Sequence, residues 1–263
     1  MCVKHVQSRL LVTVLSFALA TPLQSLAADA HNKPQNYPSG LSWVMQAMAA
    51  LTGGNSVTSV TESGTVTRTL GGDQQQGSIT LQSPGLMANQ ISLSLPRGTL
   101  SETRSWQNSL PAGTWTGFDG VQHPMAQHNC WTDAVWFFPA LSLLADYADP
   151  NLVFTDLGQQ QYQGGSVEHI QVYRTVSGLS QYDLQVLAMM STVDYYLDSQ
   201  TALPVGMAFS THADNDLNVG IPVVLVFTGY TSVSGVQVPM QVVKVVNGTT
   251  VLQISVANVS LSY

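Results

Sequence analysis

The sequence predicts a mainly β protein of the α+β class, and three observations support this. Apolar and polar residues alternate in about eleven short segments, which is the period of a half-buried strand. Two other segments repeat their apolar residues every three to four positions, as amphipathic helices do. The chain has 263 residues, of which 44% are hydrophobic and 9% charged, so it can bury one large core. We therefore expect a single domain over residues 40–263, built on a large twisted sheet partly wrapped around helices.

The first 27 residues have the pattern of a secretory signal peptide. Lys4 and Arg9 precede an apolar run over residues 10–20, and small residues lead to a cleavage site near Ala27. The run is too short to span a bilayer, so we expect it to be removed on export. Residues 28–39 are polar and contain two prolines, which predicts a tether or loop before the domain.

The amino-terminal half of the domain begins with a predicted helix and continues as strands. Val44, Met48 and Leu51 share one face of a helix over residues 41–51, which Gly53 and Gly54 end. Short alternating segments rich in Ser and Thr follow, and glycine and proline turns separate them. This order predicts an antiparallel meander.

The middle of the chain predicts a second helix over residues 139–147, because Ala140, Leu143, Leu144 and Tyr147 recur at helical spacing. A weaker helical pattern covers residues 184–190. The last seventy residues alternate in five segments, and Asn247-Gly248 is a strong hairpin signal. Valines occupy the second face of two of these segments, which predicts apolar cover on both sides of the sheet there.

Charge and motifs exclude several classes of function. A net charge of -7 without a basic run does not fit a phosphate backbone, so we expect no nucleic-acid partner. No nucleotide-binding, metalloprotease or nucleophile-elbow motif is present. We therefore predict a protein that is not an enzyme and has no cofactor.

Cys130 is the only thiol that remains after the signal peptide is removed, so no intramolecular disulfide can form. A small buried side chain is the simplest interpretation. The alternative is an enzyme that uses Cys130 with His128. His123, His128 and Cys130 match no standard zinc spacing, so we predict no metal site.

Large apolar residues on the predicted helices and inner strands could enclose a hydrophobic pocket, as most ligand sites do. The alternative is that they pack only as core. The candidate ligand contacts are Trp43, Met45, Met48, Trp136, Phe137, Phe138, Leu141, Met207 and Phe209.

The order of these segments resembles that of the LolA-like periplasmic lipoprotein carriers, also described as outer-membrane lipoprotein-sorting proteins. The residues that carry the resemblance are Leu51-Thr52-Gly53-Gly54, Phe118-Asp119-Gly120, Tyr196-Leu197-Asp198 with Leu203-Pro204, Phe227-Thr228-Gly229-Tyr230 and Gly235-Val236-Gln237-Val238-Pro239. The carboxy-terminal third matches most closely.

The resemblance implies a half-open barrel, whose concave face is covered by helices around an apolar cavity for acyl chains. It also implies a periplasmic, non-enzymatic carrier or binder of lipids or lipoproteins, with a membrane-bound donor or acceptor protein as a further partner. Two other hypotheses stay open. Alternation at Ala257, Val259, Leu261 and Tyr263 suggests an outer-membrane-associated β-barrel, and a structural or interaction domain without a ligand is the last alternative.

Overall fold

The computed structural model describes residues 38–263, so the predicted signal peptide and residues 28–37 of the predicted tether lie outside the described residues. Helix α1 spans Pro38–Thr52 and α2 spans Gln181–Ser191. The strands are β1 Ser59–Leu70, β2 Asp73–Ser83, β3 Asn89–Leu95, β4 Gly98–Gln107, β5 Leu110–Thr116, β6 Gln122–Pro124, β7 Leu152–Tyr162, β8 Gly165–Arg174, β9 Val193–Asp198, β10 Pro204–Ala213, β11 Asp216–Val233, β12 Val236–Val246 and β13 Thr249–Ser262.

All of these strands form one antiparallel sheet in the order β6-β5-β4-β3-β2-β1-β13-β12-β11-β10-β9-β8-β7. Two meanders, β1–β6 and β7–β13, are joined where β1 pairs with β13. In the described part of the chain, the edge strands β6 and β7 do not pair with each other. The sheet therefore stays open, and the predicted half-open barrel is confirmed.

The inner, concave face of the sheet carries most of the apolar core. Val66 of β1 lies opposite Ile254 of β13, which in turn lies opposite Val242 of β12, and all three side chains are buried. The strand period of two therefore sends one side chain in two to this face. The hairpin at Asn247-Gly248 is confirmed, with both residues at positive φ (48° and 74°), as a tight turn between twisted strands requires.

Helix α1 matches its prediction closely. It buries Val44, Ala47 and Leu51, and it packs against β7, β8 and β12. Gly53, at a φ of 56°, ends the helix. The predicted helical pattern at residues 184–190 is also a helix, α2, which begins where the Ser180 hydroxyl accepts a hydrogen bond from the Asp183 amide. No helix in residues 38–263 is long and apolar enough to cross a membrane.

The predicted helix over residues 139–147 is wrong. The structure has two short 3-10 helices there, Pro139–Leu141 and Leu143–Asp146, separated by Ser142. A continuous α-helix would need the Leu143 amide to reach the Pro139 carbonyl, but this amide donates instead to Asp133 Oδ2 at 3.0 Å. A carboxylate ten residues earlier in the chain therefore breaks the local helical pattern.

The two faces of the carboxy-terminal strands are covered differently. Inner-face residues such as Val223 and Leu225 are buried, whereas Val224 and Val226 on the outer face are half-buried. Helix α1 and the 3-10 helices pack with the inner-face core, so the expected apolar cover on both sides is found mainly on one.

Candidate ligand-binding pocket on the inner face

A central segment, residues 127–148, packs against the inner face of the curled sheet. Its aromatic run Trp136, Phe137 and Phe138 is almost fully buried, as are Leu143 and Leu144. These side chains belong to the same core cluster as the inner faces of the strands. The segment is therefore packed as part of the core.

Buried polar side chains fix the central segment to the sheet. Arg104 on β4 donates to the Thr132 hydroxyl at 2.8 Å, and Asn89 on β3 donates to the Ala134 carbonyl at 2.7 Å. On the opposite wall, the Tyr195 hydroxyl of β9 donates to Asp133 Oδ2 at 2.6 Å. Burial raises the pKa of Asp133, although this hydrogen bond and two backbone amides oppose the effect.

Another contact ties the segment to β10. The Asn129 side-chain amide donates to the His212 carbonyl at 2.8 Å, and the His212 amide donates to Asn129 Oδ1 at 2.7 Å. Because this reciprocal pair imitates a strand pairing, it satisfies backbone groups that would otherwise be buried without a partner. The segment is thus held from β3, β4, β9 and β10.

A first cavity, the mouth groove, lies between α1 and the central segment and has a volume of about 520 Å³. Met45, Met48 and Ala49 of α1 line one side, and Leu141 and Tyr147 line the other. Met45 is 52% exposed, so this groove opens to solvent. None of its lining residues carries a charge.

A second cavity, the inner-face pocket, lies between β3–β5 and β12–β13 and has a volume of about 380 Å³. Its walls are mostly apolar and include Leu93, Leu100, Leu252 and Trp136, which the central segment contributes. Leu70 and Trp115, which also line it, are 60% and 42% exposed. The pocket therefore joins the apolar interior to an exposed apolar rim.

Charged side chains distinguish the inner-face pocket from the mouth groove. Arg68, Glu102 and Lys244 all line it. Glu102 accepts hydrogen bonds from Arg104 at 2.8 Å and from Asn89 at 3.1 Å. Burial is the largest single influence and would raise the pKa of Glu102, but the charges of Arg104 and Lys244 and the hydrogen bonds from Asn89 and Arg104 together lower it.

The ammonium group of Lys244 lies 4.4 Å from the centre of the Trp136 ring. This distance allows a cation–π contact, in which the negative face of the ring attracts the charge. Burial lowers the pKa of Lys244, and the Glu102 carboxylate opposes that effect.

A third cavity, of about 710 Å³, lies on the other side of the sheet. Most side chains that reach it from the outer face are polar, such as Thr65, Gln76, Gln241 and Gln253, and Val243 is the apolar one. Its lining is divided about equally between polar and apolar groups, so it fits an acyl chain less well than the mostly apolar inner-face pocket does.

The nine residues predicted to contact a ligand occupy three environments. Met45, Met48 and Leu141 line the mouth groove, and Trp136 lines the inner-face pocket. The other five belong to the core or pack on it. Phe137, Phe138 and Met207 are fully buried, Phe209 is 6% exposed, and Trp43 packs on the core from α1.

Sequence reasoning missed Leu100, Trp115 and Lys244. A signal existed for one of them, since Lys244 interrupts the apolar alternation of Val242 and Val246 on the inner face of β12.

Cys130, His123 and His128 each contact a different neighbour. The Cys130 thiol is buried and contacts the Ala126 carbonyl at 3.6 Å, and burial raises its pKa. His123 stacks on Trp115 with the ring centres 4.4 Å apart, whereas His128 packs edge-on against His212. Within residues 38–263, no three His, Cys, Asp or Glu side chains are placed to hold a metal ion.

Known structures share this architecture. An outer membrane lipoprotein-sorting protein domain from Vibrio parahaemolyticus matches with a TM-score of 0.54 and 9% identity, over 85% of this chain and 92% of that one. A LolA superfamily protein from Nitrosomonas europaea matches with a TM-score of 0.50 and 8% identity, over 85% of this chain and 94% of that one. A DUF1329 family protein from Desulfovibrio piger ATCC 29098 matches with a TM-score of 0.50 and 9% identity, over 85% of this chain and 92% of that one.

No family model and no curated protein matches the chain. At these identities the structural matches establish the fold alone. The resemblance to LolA-like proteins is thereby confirmed at the level of fold: this chain has the architecture found in lipoprotein-sorting and LolA superfamily proteins.

Proposed function

We propose that this protein is an exported, periplasmic and non-enzymatic binder or carrier of acyl-bearing ligands, such as lipids or lipoproteins. The observation that carries the proposal is the inner-face pocket, an apolar space left open inside a LolA-type sheet. The signal-peptide pattern of residues 1–27 supports export. A membrane-bound donor or acceptor protein is the partner we propose for loading or delivery.

The size and lining of the pocket support an acyl chain. A volume of about 380 Å³ lies at the lower end of the range for small-molecule sites, which favours one chain over several. Leu93, Leu100 and Leu252 offer aliphatic surface, and the exposed rim at Leu70 and Trp115 offers an entrance. Burying a chain there would release water from the apolar surfaces of the chain and the pocket. This release is the main favourable contribution to the free energy of binding.

The mouth groove is the second place where the predicted contacts Met45, Met48 and Leu141 meet a cavity. Methionine side chains adapt to flexible ligands, so a longer ligand could contact them. Phe137, Phe138 and Met207 would be reached only if the central segment moved, and we propose them as contacts of an expanded state.

Native mass spectrometry of the mature protein, purified from a periplasmic extract without detergent, tests the proposal. Additional mass that is lost on denaturation and is recovered by solvent extraction as acyl lipid is the expected result. An unliganded mass that stays unchanged after incubation with lipids and fatty acids would overturn it and favour an interaction domain. A protein that stays with the membranes through a carbonate wash would favour the outer-membrane alternative.

A further inference from the structure

The basic residues of this acidic protein are concentrated at one place. Residues 38–263 contain five of them, and three reach the inner-face pocket or its wall: Arg68 and Lys244 line it, and Arg104 binds Glu102 beside it. Arg97 joins them at the rim, where both it and Arg68 lie over the ring of Phe118, at 5.1 and 5.6 Å. The remaining one is Arg174, which pairs with Asp149.

The sheet register brings the two pocket cations together. Arg68 on β1 lies opposite Leu252 on β13, and Leu252 lies opposite Lys244 on β12. Neighbouring strands are about 4.8 Å apart, so the two backbones are separated by roughly 10 Å. Two long basic side chains on one face can therefore approach a single ligand group between them, directly above the apolar side chain of Leu252.

The acids near the pocket do not cancel this charge. Glu102 is bound by Arg104, and Asp73 is bound by Arg97 at 3.3 Å. Glu102 also attracts Lys244, and Asp73 also attracts Arg68. Four basic side chains therefore share these two acids, and positive charge is in excess. Within residues 38–263, Lys244 makes no hydrogen bond or ion pair shorter than 4 Å. Its ammonium group instead lies over the ring of Trp136.

We propose that the inner-face pocket selects acyl chains that end in an anionic head group, a carboxylate or a phosphate monoester, which Lys244 and Arg68 bind while the chain lies against Leu93, Leu100 and Leu252. This inference rests on the proposed function and specifies the class of ligand. An anionic group would give the half-buried ammonium a direct partner in addition to the more distant Glu102 carboxylate, and a charged hydrogen bond is stronger in such a poorly hydrated place than in water.

Four ligands with the same sixteen-carbon chain test the head-group preference: palmitate, hexadecyl phosphate, hexadecanol and hexadecylamine. Each would be titrated below its aggregation concentration against the purified mature protein, with displacement of a fluorescent fatty-acid probe as the readout. We expect at least one anionic ligand to bind about ten- to one-hundredfold more tightly than hexadecanol, which is the range for one hydrogen bond to a charged group. Hexadecylamine should bind most weakly.

The two anionic ligands separate the possible sources of the head group. Tighter binding of palmitate supports a free fatty acid, and tighter binding of hexadecyl phosphate supports a phosphorylated lipid. Equal affinity for palmitate, hexadecyl phosphate and hexadecanol would overturn the head-group inference and leave the proposed function in place. If none of the four ligands binds, the proposed function fails, and the inference fails with it.

Lys244→Met removes the ammonium and keeps the length of the side chain. We expect it to lose about tenfold in affinity for the preferred anion and nothing for hexadecanol. Gln253→Glu is the matched control, because it changes the net charge equally from an exposed position on the outer face. Arg68→Gln, at a half-buried rim position, gives the same readout if Lys244→Met does not fold. Equal losses for Lys244→Met and Gln253→Glu would overturn the role of Lys244.

Discussion

The inner face of the sheet has a closed half and an open half, and their charged residues behave in opposite ways. In the closed half, the central segment fills the space with side chains such as Phe137, Phe138 and Leu144. In the open half, the inner-face pocket remains, and the acidic side chains Glu102 and Asp73 each have an arginine partner. Basic neighbours therefore favour the ionised form of the carboxylates in the open half, within a largely apolar space.

Two glutamates that lie in the same row of cross-strand neighbours, Glu62 and Glu102, show this contrast most clearly. Glu62 on β1 lies opposite Leu81, Leu81 lies opposite Ile91, and Ile91 lies opposite Glu102 on β4. Glu62 is fully buried and neither of its carboxyl oxygens has a hydrogen-bond partner in the described part of the chain. Burial raises its pKa to about 8, whereas basic neighbours lower the pKa of Glu102.

The largest expected effect is a fall in stability with pH that Glu62 causes. Its folded-state pKa of about 8 exceeds the ordinary value of 4.5, so the folded protein holds a proton that the unfolded chain releases. Its contribution to stability is therefore complete below pH 4.5 and is lost as the pH rises towards 8. Over this window the free energy of unfolding of the unmodified protein should fall by an amount on the order of 5 kcal/mol, and Glu62→Gln should abolish this fall. Urea unfolding at pH 5, 6.5 and 8 measures both proteins.

Glu102→Gln is the control for that measurement, since it makes the same change in the same row. Because the pKa of Glu102 is lowered, its contribution to stability is lost only as the pH falls below about 4.5. Glu102→Gln should therefore shift stability by a similar amount at pH 5 and pH 8. If Glu62→Gln also shifted stability equally at these two values, Glu62 would not be the source of the pH dependence.

The second prediction concerns the ion pair that stabilises the wall of the open half. Arg104→Met leaves Glu102 without its 2.8 Å partner and removes the hydrogen bond to Thr132 of the central segment. Removing one member of a buried pair typically costs about 3–5 kcal/mol, and we expect a loss in this range from chemical unfolding. The double variant Arg104→Met, Glu102→Gln should recover part of the loss, because no charge is left unpaired.

Arg97→Met is the exposed counterpart of that experiment. Arg97 also pairs with an acid, Asp73, but its side chain is 64% exposed, so water replaces the lost partner. We expect no measurable change in unfolding for this variant. Similar losses from Arg97→Met and Arg104→Met would mean that burial does not distinguish the two pairs.

Local sequence patterns predicted the sheet and its first helix because the information they need is local. Alternation at period two defines which face each strand residue occupies, and the Asn247-Gly248 turn adopts its expected conformation. The helix over residues 139–147 failed for the opposite reason. Its pattern was helical, but the Leu143 amide binds Asp133, a contact that only the folded chain brings together.

The candidate site was predictable by residue type and not by location. Trp136 and Phe137 are adjacent, large and aromatic, yet one lines the pocket and the other is closed core. Which of them meets open space depends on how β3–β5 curl opposite β12–β13, and no single segment encodes that curvature. The inward-facing Lys244, like Arg68 and Glu102 on their strands, was a local irregularity that marked the site.

The smallest expected effect separates the two cavities as ligand sites. Leu100→Trp enlarges a half-buried side chain within the inner-face pocket, and Ala49→Trp makes a similar enlargement at an exposed position in the mouth groove. If the acyl chain lies in the inner-face pocket, Leu100→Trp should weaken fatty-acid binding about tenfold, since the added ring occupies a space of only about 380 Å³. Ala49→Trp should leave binding unchanged, and both can be measured by displacement of a fluorescent fatty acid. The reverse result would place the chain in the mouth groove, beside Met45 and Met48, where no charged side chain is available to select its head group.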